Sequence, residues 1–312
     1  EKFSGGQSNP TFRLNTQTGS YVLRRKPPGQ LLKSAHAVDR EFRVQKALWK
    51  SDVPVAQMHV LCDDENVIGS MFYVMEEVRG RNFGEPTLDA LATDDRHAIF
   101  VEMNRVLAAI HDVDLVAKGL ADYGPEGNYY ERQVGRWTKQ YRASETQMIE
   151  PMEHLIAWLS ANMPAEDGQR TLVHGDFRID NMVFAKDEAR VLGVLDWELS
   201  TIGNPEADFA YNFMMYRVPS AAIPGLMSID LAQQGLPSER EYIDAYCQRR
   251  GISDIPALDY YVAFCMFRLA GIFHGIRGRL ARGTAVSPKA KEYAGNVELM
   301  ADLAWQQVER SQ

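Results

Sequence analysis

The chain has 312 residues, 45% hydrophobic and 24% charged, with a formal net charge of −8. That length suits about two lobes or domains at roughly 150 residues each, with a sizeable buried core. The acidic balance argues against a general nucleic-acid binder, whose phosphate contacts demand a basic face.

In chain order, residues 1–78 alternate strand-like runs, Tyr21–Leu23 and Met71–Met75, with a helical stretch from Val38 to Lys50, which suits a small sheet with one helix. After Glu76-Glu77-Val78-Arg79-Gly80 the sequence turns mostly helical. Ile99, Met103, Val106, Leu107 and Ile110 keep the 3.6-residue period, and further helical patterns cover Arg132–Asn162, Glu239–Arg249 and Leu258–Arg282. The division expected is therefore 1–78 and 79–312. With no internal repeat, low-complexity tract or long linker, the two parts are expected to share one cleft. Cys62, Cys247 and Cys265 are odd in number and far apart, and suggest neither a disulfide framework nor a zinc site. No signal-peptide pattern opens the chain, which begins at Glu1, and the longest aromatic-apolar run, Tyr260–Phe267, is far below the ~20 residues of a membrane span. A reducing, cytoplasmic setting without a membrane or nucleic-acid partner is expected.

The most informative stretch is Val173-His174-Gly175-Asp176-Phe177-Arg178-Ile179-Asp180-Asn181, followed after two apolar runs by Asp196-Trp197-Glu198. Residues 182–184 and 191–195 are β-branched-rich, and the polar Ala185–Arg190 between them marks a β-hairpin. A simple register centred on that turn sets Met182 opposite Leu195 and Val183 opposite Val194, so that Asn181 faces Asp196. Two oxygen ligands at the open end of a hairpin suit Mg²⁺, which keeps waters and substrate phosphates in its remaining positions. A phosphoryl-transfer site needs such a pair together with a carboxylate that orients the attacking hydroxyl, and Asp176 has the right chemistry and order for it.

His-Gly-Asp with Asn five residues after the Asp, then a strand ending in Asp-Trp-Glu, resembles the catalytic and metal loops of the aminoglycoside phosphotransferase family, a small-molecule branch of the protein-kinase-like fold. The resemblance extends over nearly the whole chain: Ser4–Phe12 is similar to the nucleotide loop, Tyr21–Gly29 to the strand after it, and Ala35–Phe42 to the start of the regulatory helix. With Gly203–Asp208, these most resemble kinase-like domains fused to, or encoded near, acyl-CoA dehydrogenases. The resemblance implies an α+β, two-lobed fold, a small N-terminal sheet lobe with one helix and a larger, mainly helical C-terminal lobe.

It also implies roles. Backbone N–H groups of Gly5 and Gly6, with the side chains of Ser8 and Asn9, would contact phosphate oxygens, although Gly-Gly is also ordinary turn punctuation. Arg24 stands where protein kinases carry the phosphate-holding Lys, with Glu41 as its partner. Lys26, on the same face of a strand, is the alternative phosphate contact, and a solvated Arg-Arg-Lys run is the bland reading. Glu76, Glu77 and Val78 resemble the hinge whose backbone meets the purine of ATP or GTP. Arg178 would stabilise the transferred phosphoryl group or pair with Asp180. Glu198 is a further metal or water ligand, and His174, Asp208 and His111 are architectural.

The last helical pattern speaks to the acceptor. At 100° per residue Leu269, Ile272, Phe273, Ile276 and Leu280 form an apolar stripe, with Arg268, Arg279 and Arg282 together beside it and His274 and Arg277 opposite. That basic rim would admit an anionic acceptor, a carboxylate or the phosphates of coenzyme A, unless it is simply a solvated helix face. The expected activity is transfer of a nucleotide γ-phosphate to a small-molecule hydroxyl, with a hydroxy acid or hydroxyacyl-CoA favoured and a functional link to an acyl-CoA dehydrogenase. The alternatives are a nucleotide-binding pseudokinase or scaffold, suggested by Arg24, and a metal-dependent hydrolase built on His174, Asp176 and Asp196.

Overall fold

The structure is a computed structural model, and it describes residues 1–3, 9–27, 37–144, 147–165, 168–220, 223–283 and 289–311. Gly5, Gly6 and Ser8, expected to contact phosphate, lie outside the described residues.

Four strands form one antiparallel sheet in the order β1-β2-β4-β3: β1 (Thr11–Asn15), β2 (Ser20–Arg25), β3 (Met58–Cys62) and β4 (Phe72–Glu76). Helix α1 (Val38–Leu48) buries Val38, Glu41, Val44, Gln45 and Leu48, the spacing of one helical face. Val38 joins Ala56, Met58 and Tyr73 in a small apolar cluster at the sheet. The carboxylate in the middle of this buried face, Glu41, has a functional explanation below.

The rest of the chain is built around helices packed on α8 (Leu258–Ala281). Helices α4 (Tyr129–Ala143), α5 (Glu150–Ala161), α6 (Pro205–Phe213), α9 (Ala290–Gly295) and α10 (Val297–Arg310) pack on it, while α3 (Thr93–His111) packs on α7 (Glu239–Arg250); the short α2 (Glu65–Ile68) lies between β3 and β4 in the chain. The expected helix over 132–162 is two helices, because Pro151, in the first turn of α5, has no N–H to continue a helix from upstream. The single apolar stripe expected on α8 also fails. Every residue from Tyr260 to Gly271 is buried, since α4, α5, α6 and α10 all pack on this helix. None of the described helices is long and apolar enough to cross a membrane.

Two short antiparallel pairs set the loops that matter. Strand β5 (Thr171–Val173) pairs with β8 (Thr201–Gly203), Val173 opposite Thr201, so the chain leaves β5 at His174 beside the point where it enters β8. Strands β6 (Met182–Phe184) and β7 (Val191–Val194) form the expected hairpin, one residue out of the expected register: Met182 faces Val194 and Val183 faces Gly193. At the turn end the offset is two, Phe184 facing Val191, and the irregularity between Val183 and Phe184 reduces it to one. Asn181 therefore pairs through its carbonyl with the Leu195 amide, 2.8 Å, and Asp196 lies one residue beyond the ladder.

Candidate active site

The loop 174–181 is braced from below by one buried carboxylate. Asp208, in the first turn of α6, accepts the amides of His174 and Gly175, the latter at 2.7 Å. Burial alone would raise the Asp208 pKa, but the neighbouring His111 and His174 and the loop amides outweigh it and hold the group below the usual carboxylate range. His111 lies 3.6 Å away, accepting or donating a 2.6 Å bond with Tyr246 at its other nitrogen, and burial pushes its own pKa down. Gly175 has φ +84, and a Cβ there would stand 2.8 Å from the Leu199 carbonyl, so the close turn requires glycine.

His174 is fully buried. Its Nδ1 accepts the Asp176 amide at 3.2 Å and its Nε2 lies 2.9 Å from the Leu195 carbonyl, which assigns the ring proton to Nε2. One imidazole thus ties the loop bearing Asp176 to the strand end bearing Asp196. With both nitrogens occupied inside the protein, His174 has none left for a metal, and this removes the basis of the hydrolase alternative.

Both oxygens of Asp176 are oriented. Asn181 Nδ2 donates to Oδ2 at 3.0 Å and to the Asp176 carbonyl at 2.9 Å, and the Tyr211 hydroxyl donates to Oδ1 at 2.7 Å. Tyr211 has no counterpart in the sequence reading. It follows Asp208 by three residues on the same helix face, which is the periodic signal that could have found it. Arg178, half-exposed, sits 3.1 Å from Asp180, the structural pairing expected of it, and also 3.2 Å from Asp176.

Asp196 has φ 64 and ψ 55, a left-handed conformation uncommon for a residue with a side chain and typical of sites where geometry is over-determined. Its Oδ1 receives Arg24 Nη2 at 2.6 Å, while Arg24 Nε lies 3.0 Å from Glu41 and Nη2 lies 3.7 Å from Glu198. Burial, which alone would lower the Arg24 pKa, is outweighed by the surrounding carboxylates, and the guanidinium stays firmly charged. Glu41 is pushed up to about 7, first by burial and then by Asp196 and Glu198, against the pull of Arg24. The Tyr73 hydroxyl also donates to Glu41, at 3.0 Å.

Asn9 is a correction. Expected on phosphate, it is fully buried, and its amide donates to Glu41 at 2.8 Å and reaches Glu198 at 3.4 Å. The inward carboxylates outcompete solvent for that amide. Lys26 is displaced as the alternative to Arg24: it follows the end of β2, 3.9 Å from Asp39, whereas Arg24 lines the cleft.

That cleft has a volume of about 570 Å³, within the usual range for small-molecule sites. Val22, Ala56 and Tyr73 form part of its sheet side, Glu76, Glu77 and Val78 its back, and Asn181, Leu195 and Asp196 its floor. Glu77 is held below its ordinary range by hydrogen bonds from Ser20, Arg13 and Arg79, which fixes this connection between the sheet and the helical part. Among the described residues no group of three or more His, Cys, Asp or Glu is arranged to hold a metal. The donor set at the floor, an amide and a carboxylate without sulfur or imidazole, fits Mg²⁺ delivered with phosphates and water.

The expected basic rim on α8 does not form. Arg268 is buried at 8% exposure, while Arg279 is exposed at the far end of the helix. Arg268 donates to the Gly175 carbonyl at 2.7 Å and lies over the rings of Trp137 and Tyr211, because the tight packing around α8 leaves it no path to solvent.

Known proteins agree with this geometry. A family model described as "Phosphotransferase enzyme family" matches residues 1–244. Acyl-CoA dehydrogenase family member 10 of Mus musculus is 46% identical over 97% of this chain, and member 11 of Homo sapiens 42% identical over 99%. The chain spans only 28% and 40% of the lengths of those two proteins. The crystal structure of a candidate aminoglycoside phosphotransferase from Ralstonia eutropha superposes with a TM-score of 0.92 at 46% identity, covering 99% of this chain and 92% of that one. Choline kinase from Cryptosporidium parvum shares the fold at a TM-score of 0.65 and 11% identity, covering 99% of this chain and 88% of its own. The match over most of its length identifies the chain as a member of the phosphotransferase enzyme family.

Proposed function

We propose that this phosphotransferase moves the γ-phosphate of ATP or GTP to the hydroxyl of a hydroxy acid or hydroxyacyl-CoA. The observation that carries the reading is the junction at the cleft floor. Asn181 is bonded to Asp176 on one side and lines the cleft with Asp196 on the other, so base and metal ligands meet where nucleotide and acceptor would touch.

In this reading residues 1–78 form the nucleotide-binding lobe and 79–312 the lobe that supplies the base and the acceptor site. Asp176, its two oxygens fixed by Tyr211 and Asn181, orients the acceptor hydroxyl and takes its proton as the new P–O bond forms. Arg178, beside it, stabilises the transferred group. Asn181 Oδ1 and Asp196 would hold Mg²⁺, which supplies charge neutralisation at the β- and γ-phosphates. Arg24 exchanges part of its contact with Asp196 for phosphate oxygens, Glu41 keeping its fork in place, and the Gly5-Gly6 loop with Ser8 covers the phosphates. The backbone of Glu76–Val78 meets the purine.

Arg268 favours an anionic acceptor. Among the described residues no carboxylate lies within ion-pair distance of this buried guanidinium, and its Nε has no hydrogen-bond partner. A buried cation held behind the Asp176 loop by a carbonyl and two rings, without a paired carboxylate, makes the acceptor side attractive to carboxylates and repels polycations. Arg279, exposed further along α8, is the outer contact for a phosphate-bearing carrier such as coenzyme A. The names of the long relatives, acyl-CoA dehydrogenase family members, support a functional link to acyl-CoA oxidation.

The test is ADP or GDP release with a panel of hydroxy acids and hydroxyacyl-CoAs, run beside an aminoglycoside. Release that requires a carboxylate or acyl-CoA acceptor and is lost in Asp176→Asn supports the reading. Release driven by the aminoglycoside alone contradicts it.

A further inference from the structure

A second, smaller cavity of about 50 Å³ neighbours the larger cleft, with Asp180 lining both. Pro86, Met214, Met215, Ile223 and Pro224 make much of its lining apolar, and Asn212, which also lines it, has its amide engaged by the Phe177 carbonyl and the Tyr242 hydroxyl. Arg178, Asp180 and Tyr211 supply its polar side. Tyr211 and Arg178 are the two groups that touch Asp176 Oδ1, at 2.7 and 3.2 Å. The cavity therefore begins at the edge of the carboxylate that would take the acceptor proton.

We infer that this cavity seats a short alkyl group carried on the acceptor's carbinol carbon, so that the enzyme phosphorylates secondary alcohols in preference to primary ones. The inference rests on Asp176 being the base, since only then does the hydroxyl lie at the polar side of the cavity.

Size and chemistry set the class. An apolar cavity of ~150 Å³ takes a benzene ring, and a third of that volume takes a group of about one or two carbons. A charged or hydroxylated substituent would lose its hydrogen bonds against Met214, Met215 and Ile223, whereas a methyl or ethyl group gains burial. The two methionines are unbranched and polarizable, which lets the wall adjust to small differences in shape. They are buried at 3% and 9% exposure, so the back of the cavity is set by packed core. An alkyl group held there would also fix the rotation about the carbinol carbon, directing its hydroxyl at Asp176 for in-line attack.

The step itself is unchanged: the acceptor O–H bond gives its proton to Asp176, the oxygen forms a bond to the γ-phosphorus, and the bond to the β-phosphate oxygen breaks with its electron pair leaving on the nucleoside diphosphate. The cavity acts only on which hydroxyl reaches that geometry.

The experiment measures kcat/KM by ADP release for ω-hydroxy acids of one chain length, unsubstituted or bearing methyl, ethyl or butyl on the carbinol carbon. For the native protein, the methyl and ethyl members should exceed the unsubstituted acid by about 10- to 100-fold, the usual worth of one or two methylenes in an apolar site, and the butyl member should fall away. Ile223→Phe, which fills the cavity, should collapse the ratio of branched to unbranched acceptor. Met215→Ala, which enlarges it, should move the optimum to a larger group. Nucleotide titration of each variant serves as the control for folding. Branched acceptors turned over no better than unbranched ones by the native protein, or a ratio unchanged in both variants, would overturn the inference. If Mg²⁺-dependent nucleotide binding is itself missing, the kinase reading fails; if binding and Asp176-dependent transfer hold without the alkyl preference, only the cavity's role fails.

Discussion

Asp176, the proposed base, is aimed by the donors Asn181, Tyr211 and Arg178. Asp176→Asn is expected to lower turnover by on the order of 10²–10⁴, the usual worth of a positioned acid–base group, while leaving nucleotide affinity near native; single-turnover kinetics beside calorimetry separates the two. Asp196→Ala should instead abolish the Mg²⁺-dependent part of nucleotide binding, because Asn181 alone offers a single protein oxygen. Several of these side chains were legible in the sequence because each motif is local: His174, Asp176 and Asn181 lie within eight residues and fold as one loop. Asn9, Tyr211 and Arg268 were not, or were misread. Their partners Glu41, Asp176 and Gly175 lie 32, 35 and 93 residues away, and only packing decides which way each side chain turns.

The two short strand pairs are what make the site possible. They bring the ends of β5 and β7 together, so that one imidazole, His174, spans both loops. Gly175→Ala should cost about 1–3 kcal/mol through the forced left-handed backbone, and the crowding against Leu199 should misplace Asp176 as well. Thermal unfolding and kcat together check this: a stable variant with native turnover would contradict it. The hairpin itself could be read from alternating apolar runs and a polar turn, but its register could not. The ladder is two residues off at Phe184 and one off beyond the irregularity at Val183, and nothing in the local sequence announces either. The break between α4 and α5 was announced, by Pro151, and the helical period on either side masked it.

Taken as a whole, the molecule concentrates buried polar groups beneath the loops of the site. His111 lies under Asp208 with its pKa lowered by burial. Its neutral form is therefore favoured in the folded protein, so its contribution is fully present above the ordinary imidazole value near 6.5 and is lost as pH falls below it. The difference in unfolding free energy between the native protein and His111→Asn should shrink between pH 7.5 and pH 5.5, about one unit either side of that value; a difference independent of pH would show that His111 is not the titrating group. Fold class was legible from the change of texture near Gly80, strands before it and 3.6-residue periodicity after it. The depth of α8 was not, because a helix buried on nearly all sides carries no stripe to read.

On the proposed function, the cleft between the sheet and the helical part is a nucleotide site completed by Mg²⁺. Calorimetric titration with ATP and with GTP, each with and without Mg²⁺, tests it without knowledge of the acceptor. Saturable binding of at least one nucleotide that strengthens with Mg²⁺, and loses that gain in Asp196→Ala, is the predicted result. Absence of binding to the intact, folded chain, or binding indifferent to both Mg²⁺ and Asp196, would show that the cleft is not a Mg²⁺–nucleotide site.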